Sequence, residues 1–363
     1  MVLDIVYDVD IIIIMKFILI FLLFFLGCRN DQSIKKNLVD EVWHSNIEMG
    51  SYLCSHVLED KYFFAIHNNT LKSINFENGN GVLWSQTFSN GVEHAPVLYG
   101  DNLYLADLSG DIFCINATNG TNIWNRSLNT QIISLLNIED LDGKELLLVP
   151  AYDNKLHAFD SKTGETIWEF STDNFLNAQP AISEDRKYLV FGNCGGTLFI
   201  INDSGTLYKT LDLNSPLASS PVIIDEKIYI GSHSDGIFCV SLKTGQILNR
   251  YFEKEDINFM SSPVSNGDMV YFVGSDNNIY AINGKTLQIS KFFTANSEIN
   301  SNLLFINDYI FISESSGMMY LINNLKDVAW QTDNGTEILS TLKHKNYIVI
   351  GDSQGIIMKI RVK

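Results

Sequence analysis

All five tryptophans of this chain, Trp43, Trp84, Trp124, Trp168 and Trp330, close the same short apolar step, which returns at intervals of about 40 residues. The register runs on through Lys209, Asn249 and Lys291, which makes eight equivalent positions. Proline keeps the same register. Pro96, Pro221 and Pro263 lie equally far before Trp124, Asn249 and Lys291, and Pro180 lies one residue further before Lys209. A period of this length cannot come from helix or strand geometry. It reports a supersecondary unit repeated along the chain.

Each unit reads as four short strands. In the segment from Ser219 to Phe252 they are Ser220–Ile224, Lys227–Gly231, Gly236–Ser241 and Gln246–Tyr251. Alternating apolar residues give the strand period, and Ser234-Asp235-Gly236 supplies a hairpin turn. Gly110, Gly196, Gly317 and Gly355 occupy the same turn elsewhere, where positive φ favours glycine. After Trp330 the chain supplies only three strands, Ile338–Thr341, Tyr347–Ile350 and Ile356–Val362, while Glu41–Ile47 precedes any inner strand of its own. Both irregularities vanish if the early strand completes the last unit. The expected fold is therefore all-β: an eight-bladed β-propeller of four-stranded blades, closed by an N-terminal strand.

The N-terminus carries a different signal. Met15-Lys16 followed by the apolar run Phe17–Leu26 has the charged start and short hydrophobic core of an export signal. Residues 1–27 are expected to be that signal, with translation starting at Met15. Phe25-Leu26-Gly27-Cys28 resembles the lipobox of bacterial lipoproteins, which implies a lipidated Cys28. Residues 28–38 are polar and read as a tether, and 39–363 as the propeller.

The clearest copies are Asn154-Lys-Leu-His-Ala-Phe-Asp160-Ser-Lys-Thr163-Gly164-Glu-Thr-Ile-Trp168 and Asp111-Ile-Phe-Cys-Ile-Asn116-Ala-Thr-Asn119-Gly120-Thr-Asn-Ile-Trp124. They resemble the pyrroloquinoline-quinone-type propeller repeat, and the likeness runs from Val39 to Lys363. One branch of that family comprises quinone-dependent dehydrogenases. The other is the lipoprotein propeller of the machine that inserts β-barrels into the outer membrane. Lipidation, a single domain and short-looped blades resemble the second branch. That resemblance implies a non-enzymatic, monomeric scaffold. It would be anchored to the outer membrane facing the periplasm and would dock an envelope protein, a β-barrel assembly component. An exported propeller that binds a carbohydrate or small ligand is the alternative, and a quinone enzyme the second.

The chain offers little catalytic chemistry. It lacks the adjacent cysteines of the dehydrogenase branch, and its tryptophans are all spent on the repeat. No cofactor is expected. Asp140, Asp142 and Glu145 are the candidate Ca²⁺ ligands, since oxygen donors at alternating positions suit that ion. The favoured reading of their segment is a polar hairpin turn. The seven histidines are scattered and read as surface or satisfied polar groups. Cys114 and Cys239 sit in matching repeat positions and read as small buried hydrophobes. The net charge of −17 repels phosphate backbones and argues against nucleic acid. Lys209, Asn249 and Lys291 in place of tryptophan read as repeat drift. The sharper alternative is a looser arc contacted by a partner.

Overall fold

The structure, a computed structural model, describes residues 38–46, 53–141, 143–252, 256–299 and 302–363. These residues form strands and turns, with no helix among them. The strands make eight antiparallel sheets of four. In each blade the strand positions are called A to D in hydrogen-bonded order, from the short inner strand to the outer one. Blades 1 to 7 have their A strands at Leu53–Leu58, Val97–Tyr99, Asn137–Leu141, Ala181–Ile182, Val222–Ile224, Val264–Asn266 and Leu304–Ile306.

Blade 8 joins the two ends of the chain. Its A, B and C strands are Ile338–His344, Tyr347–Asp352 and Ile356–Val362. Its D strand is Val39–Asn46, antiparallel to Ile356–Val362, with Trp43 opposite Lys359. Ile47, the expected end of that strand, lies outside the described residues. The closing strand is also held by charge: Asp40 meets Arg361 at 2.7 Å and Lys363 at 2.8 Å.

Burial follows the sequence pattern. The B and C strands are apolar on both faces and lie between neighbouring sheets, as Tyr188–Gly192 and Thr197–Asn202 show. The D strands alternate between half-buried and exposed. The core is consequently a ring of inter-blade layers. Leu147, Val149 and Phe159 of blade 3 pack with Tyr104, Cys114 and Trp124 of blade 2.

The tryptophans fasten these layers. Trp43, Trp84, Trp124 and Trp168 each lie over the C–D turn of the next blade. Their indole N–H groups donate to the carbonyls of Phe76 (3.2 Å), Ala117 (3.0 Å), Ser161 (2.9 Å) and Asp203 (3.1 Å). Beneath each ring is a glycine with φ between +69° and +77°: Gly79, Gly120, Gly164 and Gly205. A Cβ on Gly164 would sit 2.7 Å from the Trp124 ring. Where the indole is missing, that constraint disappears. Leu287 and Lys326 hold the same left-handed conformation (φ 55° and 70°) in blades 6 and 7, opposite Asn249 and Lys291. The glycine is thus needed less for its φ than as a seat for the ring. Trp330 has no such seat, because the C and D strands of blade 8, Ile356–Val362 and Val39–Asn46, come from distant parts of the chain and no C–D turn joins them; it packs in the cluster of Leu38, Ile338 and Val362.

Candidate docking faces

Antiparallel strands alternate direction, so the turns sort themselves to two ends. The A–B and C–D turns lie on one face. The B–C turns and D–A connections lie on the other. A repeated backbone hydrogen bond stitches the second face together: Leu108 N to Gly91 O, Tyr152 N to Gln131 O, Cys194 N to Phe175 O and His233 N to Pro216 O each tie a B–C turn to the D–A connection before it. Side chains finish the turns. Asp107 Oδ1 accepts from the amides of Ser109 and Asp111, both at 3.0 Å. Asn193 Oδ1 accepts from Gly195 and Thr197, and Asp352 Oδ1 from Gln354 and Ile356. These residues were not singled out from the sequence. Their signal is a short polar residue just before the turn glycine, at equivalent places in blades 2, 4 and 8.

Charge separates between the faces. Among the described residues, the B–C turns and D–A connections carry Glu93, Asp107, Asp153, Asp173, Asp235, Asp256, Asp276, Glu298, Glu314 and Glu337, and no lysine or arginine. Some of these are internal to the turns, such as the buried Asp107 and Glu314. Glu93, Asp173, Asp256, Asp276 and Glu298 are exposed. Hydrogen bonds from Tyr280 and Asn278 hold the Asp276 carboxyl low in spite of its partial desolvation. Two apolar side chains stand out on the same face, Phe175 (45% exposed, ring 4.9 Å from Tyr152) and Met260 (42%). The opposite face mixes both signs, with ion pairs such as Lys162–Glu145, Lys187–Asp185 and Lys285–Asp268.

Cys28 and Asp142 lie outside the described residues. Asp140 and Glu145 face each other across the blade 3 A–B hairpin. Asp140 Oδ1 accepts from the Gly143 amide at 2.9 Å, and Glu145 pairs with Lys162 at 2.8 Å. These bonds are those of a polar hairpin. Among the described residues, no three acidic, histidine or cysteine side chains converge as a metal site. Cys114 and Cys239 are fully buried and free, and burial pushes both thiols up to about 11. A thiol held protonated at neutral pH is a packing group rather than a nucleophile. His157 is a buried histidine with acidic partners on both sides. It is 2% exposed and wedged between Asp153 (3.0 Å) and Glu169 (3.3 Å).

Comparison with known proteins narrows the reading. The family described as "Outer membrane protein assembly factor BamB" matches residues 40–291. A relative with that name from Shewanella oneidensis is 28% identical over 42% of this chain and 37% of its own length. One from Yersinia pestis is 23% identical over 75% of this chain and 76% of its own. The crystal structure of BamB from Moraxella catarrhalis superposes with a TM-score of 0.72, at 14% identity, over 89% of this chain and 99% of that one, a likeness of fold.

Proposed function

Because this chain belongs to the outer membrane protein assembly factor BamB family, we propose that it is a non-enzymatic, lipid-anchored scaffold of the cell envelope that docks a basic partner on its B–C/D–A face. The observation that carries the reading is the separation of charge: the described turns of one face hold exposed carboxylates and no lysine or arginine, with Arg250 of a neighbouring strand pairing with Asp235, whereas the turns of the other face hold both signs. Such a surface attracts and orients a basic patch before contact is made. Phe175 and Met260 supply apolar anchors within the acidic field, the arrangement in which a few side chains carry most of an interface. The rigid ring loses little conformational freedom on binding.

A lipid on Cys28 and residues 28–38 as a tether would hold the propeller near the membrane. Its effective concentration for membrane-attached partners would rise accordingly. By resemblance to the lipoprotein propeller of the barrel-inserting machine, the partner would be the periplasmic part of a barrel-inserting protein. No catalytic role is proposed, since the buried thiols are protonated and the carboxylates of the blade 3 hairpin already have partners.

The test is cross-linking in intact cells, followed by purification and identification of what is joined. The wild type is expected to bring down a barrel-assembly component. A variant carrying Glu93→Lys, Phe175→Ser and Glu298→Lys, three exposed positions, is expected to lose it while melting normally. Recovery of a different envelope protein, or of the same component by the variant, would overturn the assignment.

A further inference from the structure

The acidic face carries an aromatic ring that the fold leaves open. Phe175 stands in the D–A connection between blades 3 and 4 and is 45% exposed. It stacks at 24° on Tyr152 of the blade 3 B–C turn, with ring centroids 4.9 Å apart. Both residues are held by their backbones. The Tyr152 amide bonds Gln131 O, and the Phe175 carbonyl accepts from the Cys194 amide, each at 3.0 Å. The Phe175 amide donates to Asn174 Oδ1 at 2.9 Å. Met260, the other apolar side chain that stands out on this face, has no ring to offer.

Carboxylates flank the pair. Asp173 lies two residues before Phe175, and Asn193 Nδ2 fixes one of its oxygens at 2.6 Å. Glu93 is close enough for its charge to act on the Tyr152 phenol, which burial, then Cys194 and this carboxylate, hold above its ordinary value. Among the described residues, no lysine or arginine pairs with Asp173 or Glu93.

The same face shows what such a combination takes. At the B–C turn of blade 5, Arg250 Nη2 pairs with Asp235 Oδ1 at 2.7 Å, and the guanidinium carbon of Arg250 stands 4.9 Å from the centre of the Phe238 ring. One cation there meets a ring and a carboxylate together. At Phe175 the ring and the carboxylates are exposed, and the described turns supply no arginine of their own.

We propose that Phe175, backed by Tyr152 and flanked by Asp173 and Glu93, receives an arginine side chain of the partner. The proposal rests on the reading of this face as a docking surface for a basic protein, and it names the residue type that the face selects. A guanidinium is planar and weakly hydrated, so it can lie on a phenyl ring while its N–H edge donates to a carboxylate. A lysine ammonium is a compact, strongly hydrated charge and gains less from the ring. The carboxylates attract both cations, so the preference for arginine is the contribution of the ring. Because the rings and Asp173 are already fixed, little ordering is needed when the guest arrives.

The experiment measures fluorescence polarisation of two labelled peptides of equal charge, Gly-Arg-Gly-Arg-Gly-Arg-Gly and its lysine counterpart, on the full-length protein at low salt. The arginine peptide is expected to bind about two- to fivefold tighter, the scale of one exposed cation–π contact. Phe175→Leu keeps an apolar side chain without the ring and should bring the two peptides to equal affinity. Phe175→Trp should keep or widen the difference, and Glu93→Gln should weaken both peptides. A folded Phe175→Leu protein that retains the full preference for arginine would overturn the proposal. Equal binding of the two peptides by the wild type would overturn it while leaving the reading of a basic partner intact. Binding of neither peptide would overturn both.

Discussion

Gly164→Ala tests whether the left-handed glycines serve as seats for the indoles. At φ +69° an alanine bears the strain of the left-handed region, roughly 1–2 kcal/mol. Its methyl would also lie 2.7 Å and 2.8 Å from Cδ2 and Cε3 of Trp124, well inside contact distance. Forcing a carbon into a packed layer costs a further ~1–3 kcal/mol. The expected total is about 2–5 kcal/mol. Trp124→Ala alone should cost about 3–5 kcal/mol, because the ring is 7% exposed and gives up its bond to Ser161 O. With the ring gone, the added methyl meets no indole. Gly164→Ala in the Trp124→Ala background should therefore cost only the backbone strain, about 1–2 kcal/mol. Gly100→Ala is the control: φ is +56°, nothing lies within 4 Å of its Cβ, and strain alone should appear. Urea unfolding followed by circular dichroism, on the four proteins of the cycle and the control, gives each value. If Gly164→Ala costs the same with and without the indole, the glycine is needed for its φ alone and the seat argument fails.

Four further outcomes are expected. Deleting Leu38–Asn46 removes the outer strand of blade 8 and its Asp40 ion pairs, so the melting temperature should fall sharply, with aggregation through the bared edge of Ile356–Val362; an unchanged melt would contradict ring closure by this strand. Burial pushes the Tyr104 phenol from 10.0 up to about 12. Its folded value lies above its unfolded one, so its contribution is full below pH 10 and is lost as pH rises from 10 through 12. Phenolate absorbance from Tyr104 should therefore appear only together with loss of circular dichroism, which a Tyr104→Phe comparison isolates. Cys28→Ser should release the protein from membranes or leave unprocessed precursor; an unmodified Cys28 thiol in mature protein, seen by mass spectrometry, would refute lipidation. Protein incubated with pyrroloquinoline quinone and Ca²⁺ should show no dye-linked oxidation of alcohols or sugars, and turnover would restore the enzyme reading.

The fold was legible in the sequence because a propeller writes itself into the chain as a period. The tryptophan register, the turn glycines and the missing last strand fixed the blade number and the closure, and the strands lie where that register puts them, within a residue or two at most ends. Those features are local or repeat at one spacing, so no knowledge of distant contacts is needed to read them. What the glycines are for was only half legible. Positive φ can be inferred from a turn, but the ring above Gly164 belongs to the preceding blade and is brought there by packing alone. The candidate docking surfaces were less legible still. A net charge of −17 does not say where the acids lie, and residues as distant in the chain as Glu93 and Glu298 share a face only because alternating strands send every second turn to the same end of the ring. Likewise Lys209 reads in the sequence as a lost tryptophan. That its aliphatic chain still covers Gly245 while its ammonium reaches the Lys243 carbonyl is decided by the stacking of blade 4 on blade 5.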